Sequence, residues 1–336
     1  MATTAATPRK SSHWIRRSFG WTLVVLAALV VAVMIFAALR PLTLLVYAAQ
    51  GRLLLAGVHS DTTKISYAGL ENIHVHYYEG GSGSPVVLVH GLGGRAEDWA
   101  SLMPRLVRDH HRVYALDLPG YGRSDWPRDA KYSIAEEAAA VEAFMQNRRL
   151  TQVDLGGWSM GGWVAMRVAL DQPQSIRRLM IFDSAGIRFQ LNWDVSLFEP
   201  NTPAKLRALD DLLMPTPPPQ VPGFIARSIF RYVDLHGWVV KRNMESMLTG
   251  ADLLDGKLGA LRMPMLIVWG KQDHVIPYMA GEQIHKDVPQ SELEIFDGCG
   301  HLAPSQCGAQ IGPVVEGFLD ERSPIPGVEA EIRTRH

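Results

Sequence analysis

One short stretch constrains this chain more than any other: Leu155-Gly156-Gly157-Trp158-Ser159-Met160-Gly161-Gly162, entered from the apolar run Val153 to Leu155 and continued by Trp163 to Leu170. A strand that passes through G-x-S-x-G into a helix must turn sharply at the serine, and the turn lifts Oγ clear of the end of a sheet. Glycines at 157 and 161 suit that turn, because a Cβ at either position would strike neighbouring backbone. Met160 opens the helix, so its backbone N–H lacks an intrahelical partner and can point at developing negative charge. The pentapeptide alone is common. A strand before it and a helix after it are what separate it from a glycine-rich turn with an incidental serine.

The chain around this turn alternates strand and helix. Ile73 to Tyr78 alternates as a strand and ends at the turn 79–83. Its His74 and His76 share a face, as a metal pair would, but no acidic or cysteine partner follows at ligand spacing, so a metal site is not expected there. Pro85 to Val89 is the continuous apolar run of a central parallel strand, and it delivers His90-Gly91-Leu92-Gly93-Gly94 to the sheet's end. The N–H of Leu92 is the candidate second donor beside that of Met160, and His90 reads as a residue that fixes the loop. No Gly-Lys-Ser/Thr ending follows, which excludes a phosphate-binding loop. A helix is expected over about Glu97 to Val107, a strand over Arg112 to Asp117, and a capped helix from Ser133 to about Arg148. Successive strand–helix units imply a parallel sheet with crossovers.

Three motifs in order, His90-Gly91-Leu92-Gly93, Asp117-Leu118-Pro119-Gly120-Tyr121-Gly122-Arg123-Ser124 and Gly157-Trp158-Ser159-Met160-Gly161-Gly162, resemble those of the alpha/beta-hydrolase superfamily, over about residues 65 to 320. The resemblance implies an α/β fold with a mostly parallel central sheet and helices on both faces. The body then divides into residues 61–185 and 264–320, separated by a helical cap over 186–263 that covers the serine and shapes the acyl pocket. Two later strands deliver an acid and a base: Met265 to Trp269 runs into Asp273, and Glu292 to Phe296 runs into His301. The order Ser159, Asp273, His301 is the one this fold uses. A hydroxyl attacks poorly until an imidazole accepts its proton, and a carboxylate holds that imidazole in the right tautomer. Asp183 is the runner-up acid. His274 is the runner-up base, although its adjacency to Asp273 makes it hard for that acid to orient.

Residues 1–18 are basic, with no acidic side chain, and Gly20 to Leu39 is uncharged and long enough at about 1.5 Å per residue to cross a bilayer core of roughly 30 Å. The first reading is therefore a cytoplasmic tail (1–18), a transmembrane helix (19–40) and a membrane-proximal apolar segment (41–60), since no clean cleavage site follows the run. Arg9, Lys10, Arg16 and Arg17 before the helix outnumber Arg40 and Arg52 after it, which orients the N-terminus inside and the hydrolase body outside. A formal net charge of -1 with mixed signs excludes a strong field for nucleic acid. Cys299 and Cys307 are too few for a disulfide framework and read first as small half-buried side chains, with a bridge as the alternative. The tail 321–336 reads as loose.

The segments Trp269 to Asp273 and Gly298 to His301, together with the N-terminal helix, resemble the membrane-bound monoacylglycerol lipases of that superfamily, with Gly308, Gly312, Pro313 and Gly317 departing from a good helix after His301. What the resemblance implies is a membrane-anchored serine hydrolase acting on lipid esters such as monoacylglycerols, without metal or organic cofactor. The alternatives are an esterase for small soluble esters, a perhydrolase, a carbon–carbon bond hydrolase, and a non-catalytic membrane-tethered binding protein.

Overall fold

The computed structural model describes residues 12–216, 219–320 and 332–335. Among these residues nine strands form one sheet: β1 (Val58–Tyr67), β2 (Leu70–Gly80), β3 (Pro85–Val89), β4 (Arg112–Leu116), β5 (Val153–Trp158), β6 (Ile176–Phe182), β7 (Met265–Gly270), β8 (Ser291–Phe296) and β9 (Ile332–Arg335). Their spatial order is β1-β2-β4-β3-β5-β6-β7-β8-β9. β1 and β2 pair antiparallel, as do β2 and β4, and every other neighbouring pair is parallel. The parallel strands are apolar throughout because both faces are covered. Along β3, Val87 and Val89 join one buried cluster and Val86 and Leu88 the other, the two-residue period of a pleated strand.

The helices are α1 (Ser12–Leu39), α2 (Pro41–Leu55), α3 (Met103–Arg108), α4 (Ile134–Asn147), α5 (Met160–Asp171), α6 (Pro203–Leu213), α7 (Gly223–Leu248), α8 (Met279–Asp287), α9 (Ala303–Gln306) and α10 (Gly308–Asp320). Ser133 caps α4 by accepting the N–H of Glu136, as its sequence signature indicates. The insertion between β6 and β7 carries α6 and α7, which wall the cavities above Ser159. Asn243 of α7 is fully buried and ties this cap to the body: its amide accepts from the Tyr121 hydroxyl and donates to the Tyr132 carbonyl at 2.7 Å.

The expected helix over 97–107 is instead a short 3-10 turn, Ala96–Trp99, followed by α3. Pro104 sits in the first turn of α3, where its missing N–H is tolerated; inside a continuous helix it would break the ladder. A strand at 58–67 was not read from the sequence, and it reaches back into the segment assigned to the membrane-proximal run. The tail is corrected in part: residues 332–335 add β9 parallel to β8, and Arg335 forks onto the buried carboxylate of Glu294 at 2.6 and 3.0 Å. Residues 321–331 and 336 of that expected loose tail lie outside the described residues.

Helix α10 forms despite its glycines and Pro313. Ile311, Val315, Phe318 and Leu319 bury one face, and Gly312 lets the helix pack so closely on Arg105 that a Cβ there would meet Nε at 2.2 Å. Tertiary packing outweighs weak helix propensity here. The reading of Cys299 and Cys307 as separate small side chains is also overturned, because the two form a disulfide that closes the turn carrying His301. Spacing could not decide this, since the bridge depends on β8 and α9 bringing both sulfurs to one place.

At the N-terminus, α1 begins at Ser12, seven residues before the expected transmembrane boundary, and the chain bends by 112° between Leu39 and Pro41. Among the described residues no single helix is long and apolar enough to cross a membrane, whereas Val24–Leu39 and Pro41–Leu55 pass together as a bent pair. Helix α2 is fastened to the body by Leu53, which is fully buried, and by Gln50, whose amide donates to Glu97 at 3.1 Å.

Replacing Cys299 and Cys307 together with serine is expected to cost roughly 2 to 3 kcal/mol of stability through the loop-closure entropy of a short ring. Urea unfolding of the non-reduced protein reads this as a lower midpoint, and an unchanged midpoint would assign the turn's order to packing alone.

Candidate active site

Ser159 follows the last residue of β5 and caps α5 with φ 55° and ψ -119°, a conformation that non-glycine residues seldom adopt. The surroundings force it. The Ser159 N–H donates to Phe182 at the end of β6, and its carbonyl accepts from Gly162, Trp163 and Ala185. A Cβ at 157 would lie 2.0 Å from the Gly161 carbonyl, and one at 161 would lie 2.3 Å from the Val89 carbonyl, so only glycine fits either place.

The side chains that the sequence nominates converge. His301 Nε2 lies 2.9 Å from Ser159 Oγ, and His301 Nδ1 lies 2.8 Å from Asp273 Oδ2. With the carboxylate on Nδ1, the neutral imidazole carries its proton there and leaves Nε2 free to accept from the serine. The other Asp273 oxygen accepts the N–H groups of Val275 and Ile276 at 2.8 and 2.9 Å. His301 is 2 % exposed and Asp273 5 %, so little water competes for either. The histidine's backbone is held too: its carbonyl accepts the Trp158 indole N–H at 2.8 Å, and its N–H donates to Leu213 at the end of α6. Sequence reading missed these two supports, which no local pattern marks.

The glycine loop after β3 passes directly against the serine: a Cβ on Gly91 would lie 3.1 Å from that of Ser159. Leu92 and Met160, nominated as backbone donors, both line the cavity at Ser159. His90 fixes the loop, accepting the Leu118 N–H on Nε2 at 3.1 Å and donating from Nδ1 to Gly91 at 2.8 Å. Complete burial holds its pKa below the ordinary imidazole range, so it stays neutral. Asp117 braces the loop from the other side, accepting from Ala96, Arg123 and His76 at 2.7, 2.9 and 2.7 Å; burial works against its charge, but the His76 and Ala96 bonds outweigh it and hold the carboxyl below the usual range.

Those contacts also dispose of the histidine pair on β2. His76 is bonded to Asp117, and His74 to Asp125 at 2.9 Å, each carboxylate arriving from the loop after β4, far away in sequence. Among the described residues no group of three or more candidate ligands gathers anywhere. The runner-up base, His274, faces the Asp211 carbonyl at 3.5 Å and is not joined to Ser159.

The runner-up acid is more informative. Asp183 is fully buried, accepts the Gly270 N–H at 2.7 Å, and leaves its second oxygen without a hydrogen-bond partner. Burial, then repulsion from Asp273, pushes its pKa well above the carboxylate range, against the pull of the Gly270 and Ala303 amides. Asp273 has the imidazole and two amides to hold its charge, so of the two acids Asp183 is the neutral one.

Two cavities meet at Ser159. The larger, about 360 Å³, is walled by Asp98, Tyr232, His236, His301 and Ser305 among apolar side chains. The smaller, about 270 Å³, is walled by Met160, Trp163, Ile187, Met244, Met247 and Leu253, and its charged lining residue, Arg188, is exposed to solvent. Leu92 and Phe198 stand at the junction. An activated hydroxyl at the fork of two cavities, with amides nearby, suits attack on a carbonyl whose two substituents diverge.

Residues 86–310 match the alpha/beta hydrolase family. The chain belongs to that family. This hydrolase is 27% identical over 275 residues to 2-hydroxy-6-oxo-2,4-heptadienoate hydrolase of Pseudomonas putida, an alignment covering 79% of this chain and 99% of that protein. Among solved structures, it resembles a bacterial membrane phospholipase A, with a TM-score of 0.74 and 26% identity over 90% of this chain and 98% of the other. It also shares its fold with the meta-cleavage product hydrolase of Pseudomonas fluorescens IP01, with a TM-score of 0.68 and 23% identity over 78% and 98% of the two chains.

The neutral state of Asp183 has a measurable sign. Below about pH 4 the folded and unfolded chains both hold this proton and the group contributes nothing; above it the unfolded carboxyl ionises while the buried one does not, so rising pH erodes stability. Asp183→Asn is therefore expected to be more stable than the parent at pH 8 by about 1 kcal/mol or more, with the gap closing toward pH 4. Urea midpoints across that range check it, and a gap of opposite sign would mean that Asp183 is charged in the folded protein.

Proposed function

We propose that this hydrolase is a membrane-anchored serine esterase that cleaves lipid esters of the monoacylglycerol kind through an acyl-enzyme. Ser159 Oγ attacks the ester carbonyl, His301 takes its proton, and Asp273 orients the imidazole and stabilises its cation. The N–H groups of Leu92 and Met160 receive the oxyanion, each worth roughly 2.7 to 4 kcal/mol in the transition state. His301 then hands the proton to the departing alcohol oxygen, the acyl carbon stays on Ser159, and water releases the acid by the same route in reverse. The observation that carries this reading is the 2.9 Å contact between Ser159 and His301 at a strained strand-to-helix turn.

The lipid part of the reading rests on three supports. The bent N-terminal pair exposes an apolar surface, with Trp21, Val24, Leu45 and Leu55 uncovered, as a lipid contact would have. The smaller cavity is apolar over most of its wall. The resemblance to a membrane phospholipase A extends over 90% of the chain, a span that takes in residues ahead of the family match. The disulfide favours an oxidising compartment, in keeping with a body on the far side of the membrane from the basic tail.

The likeness to the Pseudomonas putida enzyme favours a second reading, carbon–carbon bond hydrolysis of a keto-dienoate by the same three side chains. Such a substrate carries a carboxylate; among the described residues the larger cavity has no lysine or arginine on its wall, and Arg188 on the smaller cavity's wall is exposed to solvent. Esters are thus the better fit.

Ser159→Ala is expected to lower ester turnover by about 10³-fold or more while leaving the fold intact. A fluorophosphonate should label the parent at Ser159 and not the variant. Rates on glycerol esters of rising acyl length should climb beyond short chains. Absent labelling of a folded parent would revive a binding protein, and a preference for acetate would overturn the lipid assignment.

A further inference from the structure

The two cavities at Ser159 are chemically unequal, and the position of His301 decides what each receives. The tetrahedral adduct on Ser159 collapses only when the proton on His301 Nε2 reaches the departing oxygen, so that oxygen must lie on the histidine's side. Of the two cavities, the larger is the one walled by His301, Leu302 and Ser305. The smaller is walled by Met160 and Trp163, on the side of the candidate oxyanion donor. The alcohol therefore belongs in the larger arm, beside His301, and the acyl chain in the smaller.

The larger arm contains a carboxylate that neither the reaction nor the fold fully uses. Asp98 lines it, half-buried, in the short turn Ala96–Trp99 after the glycine loop. One of its oxygens accepts the Arg95 N–H at 2.9 Å; the other has no hydrogen-bond partner among the described residues. Arg95 does not line the arm, its guanidinium lying over the Tyr232 ring at 5.5 Å from the centroid. Burial raises the Asp98 pKa to about 6, which leaves the group mainly ionised at neutral pH. A carboxylate with a spare acceptor, facing a cavity with no lysine or arginine on its wall among the described residues, invites a hydroxyl donor and repels a phosphate.

Resting on the ester-hydrolase reading, we propose that the larger arm is the alcohol site and that Asp98 accepts a hydrogen bond from a free hydroxyl of the leaving alcohol, so that unphosphorylated polyol esters are the preferred substrates. Asp98 would then be a specificity residue outside the proton-transfer chain. The bond made on attack is Ser159 Oγ to the acyl carbon and the bond broken is acyl carbon to polyol oxygen; the polyol leaves with the proton from His301 and its remaining hydroxyls unchanged.

The test uses the full chain in detergent micelles and three esters of one fatty acid: the 1-monoacylglycerol, the methyl ester and the 1-acylglycerol 3-phosphate. The parent is expected to favour the monoacylglycerol over the methyl ester in kcat/KM by about 10-fold or more, and to rank the phosphorylated ester last. Asp98→Asn should collapse the first ratio by about 10-fold, whatever happens to absolute rates. A merely structural role would slow both esters together and leave the ratio standing, which overturns the proposal, as would a parent that prefers the methyl or phosphorylated ester. Should Asp98→Asn fail to fold, seen as loss of fluorophosphonate labelling, the parent's own ranking of the three esters still decides. A parent that folds but neither labels nor cleaves any ester refutes the esterase reading itself; one that labels and cleaves without the polyol preference refutes this inference alone.

Discussion

The backbone at Ser159 is the constraint on which the rest depends. A serine at φ 55° is disfavoured by about 1 to 3 kcal/mol, and the turn persists only because its neighbours leave no alternative. The Phe182 carbonyl at the end of β6 takes its N–H, three amides take its carbonyl, and the carbonyls of Val89 and Gly161 press where side chains would stand. The turn is therefore a product of β3, β5 and β6 lying in register. The bonds local to G-x-S-x-G, from Gly162 and Trp163, are those of an ordinary helix start, which is why the motif means little without its sheet.

The same dependence explains how His301 and Asp273 reach the serine from well over a hundred residues away. They stand beyond the ends of β7 and β8, the next two parallel strands after β6 in the sheet, and parallel strands end at one edge. Close backbone packing sets the last ångström: a Cβ on Gly270 would meet the Gly300 carbonyl at 2.3 Å, so the acid loop and the histidine loop touch through glycine. The disulfide, the Trp158 indole and the Leu213 carbonyl then fix the histidine turn from three directions.

This division also separates what the sequence disclosed from what it withheld. The meeting of Ser159, Asp273 and His301 was legible because each sits at or beyond a strand end, and apolar strands with glycine turns are loud local patterns. That the central strands run parallel followed from the alternation of strand and helix. Hidden were features whose cause lies elsewhere in the chain. β1 is polar on its open face; the carboxylates serving His74 and His76 arrive from a later loop; and α10 is helical because Ile311, Val315, Phe318 and Leu319 bury one of its faces. The bridge between Cys299 and Cys307 belongs with them. So does Asp98, an unremarkable acid in sequence whose significance comes from the cavity beside it.

One helix links the two ends of the molecule. Helix α7 packs against α1 and α2 and also supplies Ile229, Tyr232, Val233, His236 and Gly237 to the wall of the larger cavity. Farther along, Asn243 is buried among Tyr121, Tyr132 and Glu137, and Arg242 donates to the Arg128 and Ala130 carbonyls, so the C-terminal part of α7 is fastened to the body by polar bonds. Among the described residues the stretch before Gly237 has no comparable network of bonds to body carbonyls: Tyr232 stacks with His236, and Arg95 lies over its ring. Contacts of that kind are apolar or weakly directional and yield more readily than buried hydrogen bonds to backbone. Any displacement of the cap is thus easiest at the end that meets the N-terminal helices, where it would widen the larger cavity first and leave the floor beneath Ser159 untouched.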